Sequence, residues 1–219
     1  MLGVVTVGQS PRPDLERAFA SHAPGARIEV RGALDGLGAA EIAALAAGAA
    51  DYPILARLGD GSMREIPLAS IHPLVEQRAQ ELARLGARAV VVACAGGFPD
   101  VACEIPVLLP GRLLPAVASA LTRERRIGVV SPIRSQVAAA KRKWRGDGFD
   151  PVVTWASPQS AEEIGAACSE LRERGVALVV LDCFGFGDDG ARAVADLVRR
   201  PVLAARSVTA RIAGELLRG

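Results

Sequence analysis

The sequence predicts an α/β protein with two similar lobes, and three observations support this prediction. Short runs rich in Val, Leu and Ile alternate with longer Ala-, Leu- and Arg-rich segments of helical period. Several of these short runs are apolar at every position, which is typical of parallel strands covered on both faces. The same order of strands and helices also occurs twice along the chain. We therefore expect each lobe to be a parallel four-stranded sheet flanked by helices, with a pseudo-two-fold axis relating the lobes.

The predicted elements follow from these patterns in chain order. Continuous β-branched and leucine-rich runs predict strands at Leu2–Val7, Arg27–Arg31, Ala89–Cys94, Pro106–Leu108, Arg126–Val130, Val152–Trp155, Leu178–Asp182 and Val202–Ala204. Apolar residues spaced by three or four positions predict helices between them, several preceded by proline, serine or glycine. These helices are Pro13–Ser21, His72–Leu85, Gly111–Thr122, Ile133–Trp144, Ala161–Arg174, Ala191–Arg199 and Ser207–Leu217.

An internal repeat places the boundary between the lobes. The segments that match, first half against second, are Gly3–Thr6 with Gly128–Ser131, Gly86–Gly96 with Gly175–Gly185, and Pro106–Leu108 with Pro201–Leu203. The first half is longer between its first two matches, so it carries an insert at residues 33–70. Within the insert, Ile54–Leu58 and Met63–Ile66 flank Gly59-Asp60-Gly61, a β-hairpin signal. We expect a first lobe at 1–115, joined by a C-terminal helix at 206–219, and a second lobe at 116–205.

The composition excludes several classes of function. With 26 basic and 24 acidic residues the formal net charge is +2, so charge gives no reason to expect a nucleic-acid or membrane partner. Only two histidines and two lysines are present, and this argues against a histidine-rich metal centre, a phosphate-binding loop of the G-x-x-x-x-G-K type and a Schiff-base lysine. We expect the chain to open on a strand and not on a leader, and its four cysteines are too few for a disulfide scaffold. We expect a cytoplasmic protein with free thiols, no metal and no cofactor.

Two cysteines are the strongest candidates for catalysis. Cys94 and Cys183 end matching buried strands, and each is followed one residue later by a glycine, Gly96 or Gly185. Parallel α/β sheets bind ligands at the carboxyl ends of their strands, so we expect the two sulfurs to flank one inter-lobe cleft. One thiolate would remove an α-proton and the other thiol would return a proton from the far side. The alternative is that both are buried cysteines acting as small apolar residues.

The remaining thiols and the first turn have weaker signals. Cys103 and Cys168 have no repeat counterpart and are expected to be structural. In the turn after the first strand, Ser10 and backbone amides could hold a carboxylate and Arg12 could bind it with two hydrogen bonds. Ser131 opens the matching turn of the second half. Ordinary helix capping and solvated arginines would explain the same residues.

At these residues the sequence resembles the AroM family. The resemblance covers nearly the whole chain and rests on Thr6–Arg12, Val179–Phe186 and Arg206–Ala213, of which Leu-Asp-Cys-Phe-Gly-Phe is the most specific part. More distantly, the duplicated lobes resemble the aspartate/glutamate/hydantoin racemase superfamily, which includes maleate isomerase and arylmalonate decarboxylase. That resemblance implies a two-lobed α/β fold, catalytic cysteines at Cys94 and Cys183, and first-turn carboxylate contacts at Gln9 and Ser10.

The sequence departs from the racemase pattern beside both cysteines. Cys-Asn-Thr is replaced by Cys94-Ala95-Gly96 and Cys-Thr-His by Cys183-Phe184-Gly185, which removes polar side chains that contact an amino acid. Backbone amides after each cysteine would hold the carboxylate instead, and Phe184 favours a less polar ligand. Asp182, directly before Cys183, would tune that thiol or contact the ligand.

The function expected from these residues is a cofactor-independent isomerase or lyase that acts on a small carboxylate. Two alternatives stay open, a non-catalytic carboxylate-binding or sensing protein and a thiol-redox protein. The hairpin insert would cover the cleft or form a dimer contact, and a homodimer fits either use. The substrate-binding candidates are Gln9, Ser10, Arg12, Ala95, Gly96, Ser131, Asp182, Phe184 and Gly185.

Overall fold

The computed structural model describes residues 1–48 and 51–217, which contain ten strands and eight α-helices. The chain divides into two compact units. The first unit consists of Met1–Cys94, Phe98–Pro110 and the chain from Thr209 onward. The second unit consists of Ala95–Gly97 and Gly111–Val208.

The first unit is built on a four-stranded parallel sheet with a separate hairpin. The sheet strands are β1 (Leu2–Thr6), β2 (Ile28–Gly32), β5 (Ala89–Val92) and β6 (Val107–Leu108), in the order β2-β1-β5-β6. Strands β3 (Pro53–Arg57) and β4 (Met63–Pro67) pair antiparallel and form the hairpin of the insert. The helices are α1 (Pro13–Ala20), α2 (Ala39–Ala46) and α3 (Leu68–Arg84).

The second unit is built on another four-stranded parallel sheet. Its strands are β7 (Arg126–Ser131), β8 (Asp150–Trp155), β9 (Val179–Leu181) and β10 (Val202–Ala204), in the order β10-β9-β7-β8. Its helices are α4 (Pro110–Leu121), α5 (Val137–Gly146), α6 (Ala161–Glu173), α7 (Asp188–Val198) and the start of α8 (Ala205–Leu217). Within residues 1–48 and 51–217, no helix combines the length and the apolar character that crossing a bilayer requires.

The two sheets repeat the same strand order and register. Val5 of β1 pairs with Val92 of β5, and Val130 of β7 pairs with Leu181 of β9. Beyond these pairs, the amide of Ala93 donates to the Val5 carbonyl at 2.8 Å, and the amide of Asp182 donates to Val130 at 3.0 Å. These are the same partners that the sequence repeat aligns. The predicted α/β class, with two parallel four-stranded sheets and a hairpin insert, is confirmed.

A matched glycine brings a helix close to the central strand of each sheet. A Cβ atom built on Gly3 would lie 3.0 Å from the side chain of Leu82 in α3, and one built on Gly128 would lie 2.9 Å from Leu171 in α6. Both leucines are fully buried. Glycine at these positions therefore lets a helix pack directly on β1 and β7, which explains why the repeat begins with Gly-Val-Val in both halves.

Several predicted boundaries are wrong. Helix α2 was not predicted, since its alanine-rich sequence lacks a polar face. Helix α3 begins at Leu68 instead of His72 and contains Pro73, because its buried apolar residues hold the turn that precedes the proline. Strands β5 and β9 end at Val92 and Leu181, so Cys94 and Asp182 lie in the loops that follow them.

Candidate functional site

The candidate site residues lie at the carboxyl ends of the central strands in both sheets. The chain runs from β1 to one side of its sheet and from β5 to the other, and β7 and β9 do the same in the second sheet. Loops that diverge in this way leave an opening at the strand ends, where α/β proteins bind ligands. Cys94 follows β5 and Cys183 follows β9 by the same number of residues, and both are half-buried.

The loop after β9 supplies a hydrogen-bond donor to its cysteine. The amide of Gly185 donates to Sγ of Cys183 at 3.2 Å, and an N–H directed at sulfur stabilises the thiolate form. A Cβ atom on Gly185 would lie 2.6 Å from Cγ of Pro158, so this loop packs tightly against the loop after β8. Phe184 and Phe186 are both buried, and Phe186 belongs to the core of the second unit.

The loop after β5 turns sharply at its cysteine. The amide of Cys94 donates to the carbonyl of Val92 at 2.8 Å. Ala95 and Gly96 are buried and belong to the second unit. A Cβ atom on Gly111 would lie only 2.2 Å from the carbonyl oxygen of Gly96, so the start of α4 touches this backbone directly. The candidate residues Ala95 and Gly96 therefore contribute fixed backbone groups.

A buried ion pair in the second unit connects these two segments. The ammonium Nζ of Lys143 lies 3.0 and 3.2 Å from the carboxylate oxygens of Asp182 and donates at 2.6 Å to the carbonyl of Ala95. The indole of Trp144 also donates to Asp182 at 3.0 Å. The side chains of Lys143 and Asp182 are 9% and 2% exposed. One ammonium thus holds the residue after Cys94 and the residue before Cys183.

In the first turn, the predicted carboxylate-binding groups bond to the protein itself. Ser10 donates its amide and its hydroxyl to the carboxylate of Asp35, at 2.7 and 2.6 Å. Arg12 forms a two-bond ion pair with Asp14 and donates to the hydroxyl of Thr6 at 3.2 Å. This arrangement orders the turn and occupies donors that the sequence predicts for a ligand.

The remaining residue of this turn, Gln9, anchors the hairpin. Its amide nitrogen donates to the carbonyls of Leu34 and Leu37, and its side-chain oxygen accepts from the amide of Gly59 at 2.8 Å. The backbone amide of Gln9 also donates to the carbonyl of Arg57 at 2.9 Å. The turn between β3 and β4 therefore lies against the loop that follows β1.

Ser131 ends β7 at the position that matches Thr6 in β1. The residue is 1% exposed, and within the part of the chain that the structure describes its hydroxyl has no hydrogen-bond partner. Thr6 accepts a bond from Arg12, whereas among the described residues Ser131 accepts none from Arg134, the arginine of the second turn. The two strand ends thus share a hydroxyl but differ in its surroundings.

The other two cysteines, Cys103 and Cys168, lie in surroundings that are typical of structural residues. Cys103 donates a weak bond to the carbonyl of Ala79 at 3.6 Å. Cys168 lies in the core of the second unit, and burial raises the pKa of its thiol. Among the described residues, no group of three or more His, Cys, Asp and Glu side chains is placed to bind a metal ion.

The sequence comparison decides the family. A family model described as AroM protein matches residues 2–217. The chain belongs to the AroM family. A search of curated proteins found no match to this AroM protein.

Solved structures share the fold of this AroM protein at low sequence identity. Arylmalonate decarboxylase is 14% identical with a TM-score of 0.65, over 100% of this chain and 93% of that chain. Glutamate racemase isoform RacE1 from Bacillus anthracis is 14% identical with a TM-score of 0.65, over 99% and 81%. Nocardia farcinica maleate cis-trans isomerase bound to TRIS is 17% identical with a TM-score of 0.64, over 99% and 91%. At these identities the likeness shows the fold.

Sequence reasoning missed two residues of this AroM protein that organise the site. Asp35 lies far along the chain from Ser10, and no local pattern connects the two. Lys143 follows Lys141 and Arg142 in the sequence, and such a basic run does not by itself indicate a buried charge. Its spacing from the buried residues Ala139 and Ala140 places it on the same face of α5, and this was the available signal.

Proposed function

We propose that this AroM protein is a cofactor-independent isomerase or lyase that acts on a small carboxylate, with Cys94 and Cys183 as its acid–base pair. The observation that carries the proposal is that the two cysteines occupy equivalent positions in the two sheets. Each thiol follows the central strand of its sheet at the same register, each is half-buried, and each is followed by a glycine loop. Two core cysteines kept only for packing would not need matching positions at the strand ends.

The proposed reaction needs one thiolate and one thiol on a single bound substrate. The thiolate takes the proton from the carbon next to the carboxylate, and the electron pair of the broken C–H bond moves into an enolate. The second thiol then delivers a proton to the same carbon, so the enzyme ends with the two protonation states exchanged. In a lyase reaction, CO₂ leaves with the broken C–C bond, its electron pair stays in the enolate, and a thiol protonates it.

Carboxylate binding is assigned to the backbone amides of the two cysteine loops. Such amides stabilise the negative charge that develops on an enolate. Gln9, Ser10 and Arg12 would shape the adjoining wall, because their donors already bond to Asp35, Asp14 and the hairpin. Ala95 and Phe184 put apolar side chains beside the cysteines, and this favours substrates with an apolar substituent next to the carboxylate.

The names of proteins that share the fold support this class of reaction. They are a decarboxylase of arylmalonate, a glutamate racemase and a maleate isomerase. Each name specifies a small carboxylate as the molecule acted on. We infer the same broad substrate class for this chain.

The test is exchange of the α-proton in deuterated water across a panel of small carboxylates, including aryl- and alkyl-substituted malonates. We expect the wild type to incorporate deuterium into at least one of them, and Cys94→Ala and Cys183→Ala each to slow exchange or turnover at least 100-fold. Cys103→Ala is the matched control, because Cys103 is also half-buried but has no repeat counterpart. It should keep the wild-type rate.

Two outcomes would contradict the proposal. One is the absence of exchange or CO₂ release with every compound of the panel. The other is exchange that survives removal of both cysteines. If the acids stabilise wild type and the double cysteine variant equally against heat, without any turnover, the protein is a binding or sensing protein instead.

A further inference from the structure

The ion pair of Lys143 and Asp182 is not explained by folding alone. Taking both charges out of water is costly before they interact, and apolar residues of similar size are often at least as stable. Here the pair is nearly inaccessible, and the carboxylate also accepts from the indole of Trp144. Because Asp182 directly precedes Cys183, this buried pair bears on the ionisation of the Cys183 thiol.

Asp182 and Cys183 are consecutive, so a carboxylate lies one residue from the proposed catalytic thiol. A negative charge close to a thiol opposes its ionisation. The ammonium of Lys143, in contact with both carboxylate oxygens, offsets it. Its third contact, with the carbonyl of Ala95, fixes the backbone after Cys94 with the same group.

We propose that Lys143 is a positioning residue that neutralises Asp182 and so keeps the Cys183 thiol ionisable, while holding the backbone that follows Cys94. The inference deepens the proposed function, since it names how one thiol of that site is controlled. Desolvation raises the pKa of Asp147, at the end of α5, and the positive charge of Lys143 acts against that rise, which agrees with an ammonium that serves more than one carboxyl.

Other charged groups surround the Cys183 loop and stay unchanged in the test. Asp147 directly follows α5, and Asp188 and Asp189 begin α7. Arg206, on the first turn of α8, lies against Gly187, where a Cβ atom would be 2.1 Å from its guanidinium. Because none of these is altered, a change in the reactivity of Cys183 reports on the pair.

The experiment measures alkylation of Cys183 by iodoacetamide from pH 5 to pH 10 in the full chain, followed by peptide mass spectrometry. The experiment uses no substrate. A negative result would therefore leave the proposed function standing, and a failure of the proposed function would leave this result standing. Lys143→Met leaves the carboxylate unpaired, and we expect the pH midpoint of alkylation to rise by about one unit, which is about 10-fold slower labelling below the midpoint. Asp182→Asn leaves the ammonium unpaired, and we expect the midpoint to fall. Lys143→Arg keeps the charge and should stay close to wild type.

The opposite signs separate charge control from loss of structure. Loosening of the fold would make Cys183 more reactive in both variants, so shifts in the same direction, or no shift in either, overturn the proposal. If the single variants do not fold, Lys143→Met combined with Asp182→Asn is tested, because removing a whole buried pair is tolerated better than breaking it. We expect its midpoint within about half a unit of wild type, and a shift of a full unit would overturn the proposal.

Discussion

Asp35 is the residue that orders the turn after the first strand. Its carboxylate accepts the amide and hydroxyl of Ser10 and also the amide of Gly32, all at 2.6–2.7 Å. The bonds join the ends of β1 and β2 with one charged group. Hydrogen bonds to a carboxylate contribute more than neutral ones, so this residue should carry a measurable share of stability.

Replacing Asp35 with Asn should lower the free energy of unfolding by about 2 kcal/mol, because an amide has one acceptor oxygen for three donors. Urea unfolding followed by circular dichroism measures the change. Asp196→Asn, at an exposed position of α7, is the control and should stay within about 0.5 kcal/mol of wild type. An unchanged midpoint for Asp35→Asn would show that these contacts do not order the turn.

Cys168 should behave differently from the half-buried thiols at pH 8. Burial raises the pKa of its thiol, so folded protein should label at Cys94 and Cys183 and leave Cys168 unmodified. The unfolded thiol ionises at lower pH than the folded one, and this group therefore removes stability as the pH rises through the unfolded value. Peptide mapping after iodoacetamide treatment shows which thiols are labelled, and a sample in urea is the control. Equal labelling of Cys168 in the folded and urea samples would contradict its burial.

The sequence is least informative about the bonding partners of individual polar side chains. The prediction that Cys94 and Cys183 form a reactive pair rests on residue type, strand end and repeat, all of which are local. The partners of Ser10, Gln9 and Lys143 are distant in the chain, so whether their polar groups bind a ligand or the protein depends on the tertiary fold. The sequence allows capping by Ser10, but it gives no sign of the Asp35 carboxylate to which Ser10 bonds.

At the scale of elements, the hairpin of the insert is fixed to the loop that follows β1. A Cβ atom on Gly8 would lie 2.0 Å from the backbone oxygen of Arg57, so β3 touches this loop without an intervening side chain. The bonds of Gln9 to Arg57 and Gly59 complete the contact. The insert therefore adds a wall at the carboxyl end of the first sheet.

Gly8→Ala should destabilise the protein by about 2–3 kcal/mol, because the new methyl group overlaps backbone that cannot rotate away. Gly165→Ala is the matched control, since Gly165 lies in α6 with no atom within 4 Å of an added Cβ. It should gain roughly 0.5–1 kcal/mol from improved helix propensity. Thermal and urea unfolding of both variants compare the effects, and equal stabilities would show that the hairpin does not press on this loop.

Most elements could be predicted because their patterns are local. The hydrophobic runs of β1, β5, β7 and β9 are strands in the structure, and the Gly59-Asp60-Gly61 signal marks the hairpin turn. Helix α2 could not be predicted from periodicity, because its alanines leave the buried side undefined. The start of α3 at Leu68 depends on packing of the residues before Pro73, which outweighs the signal of the proline itself.

At the scale of the whole molecule, the duplication determines where the two cysteines lie in their sheets. The same register in both sheets places a cysteine after β5 and a cysteine after β9 in equivalent loops. Membership of the AroM family and the shared fold with a decarboxylase, a racemase and an isomerase agree with this architecture. We propose that the two thiols act on one substrate.

Action of the two thiols on one substrate is tested most directly with a short bifunctional reagent. Cys103→Ala protein is treated with 1,3-dichloroacetone at neutral pH, because this variant leaves one thiol in the tryptic peptide that contains Cys94. If both sulfurs reach one small molecule, peptide mapping of the monomeric chain will recover the peptides of Cys94 and Cys183 joined by a three-carbon bridge. If each thiol is alkylated singly and no bridge forms within the chain, the two cysteines do not share a substrate.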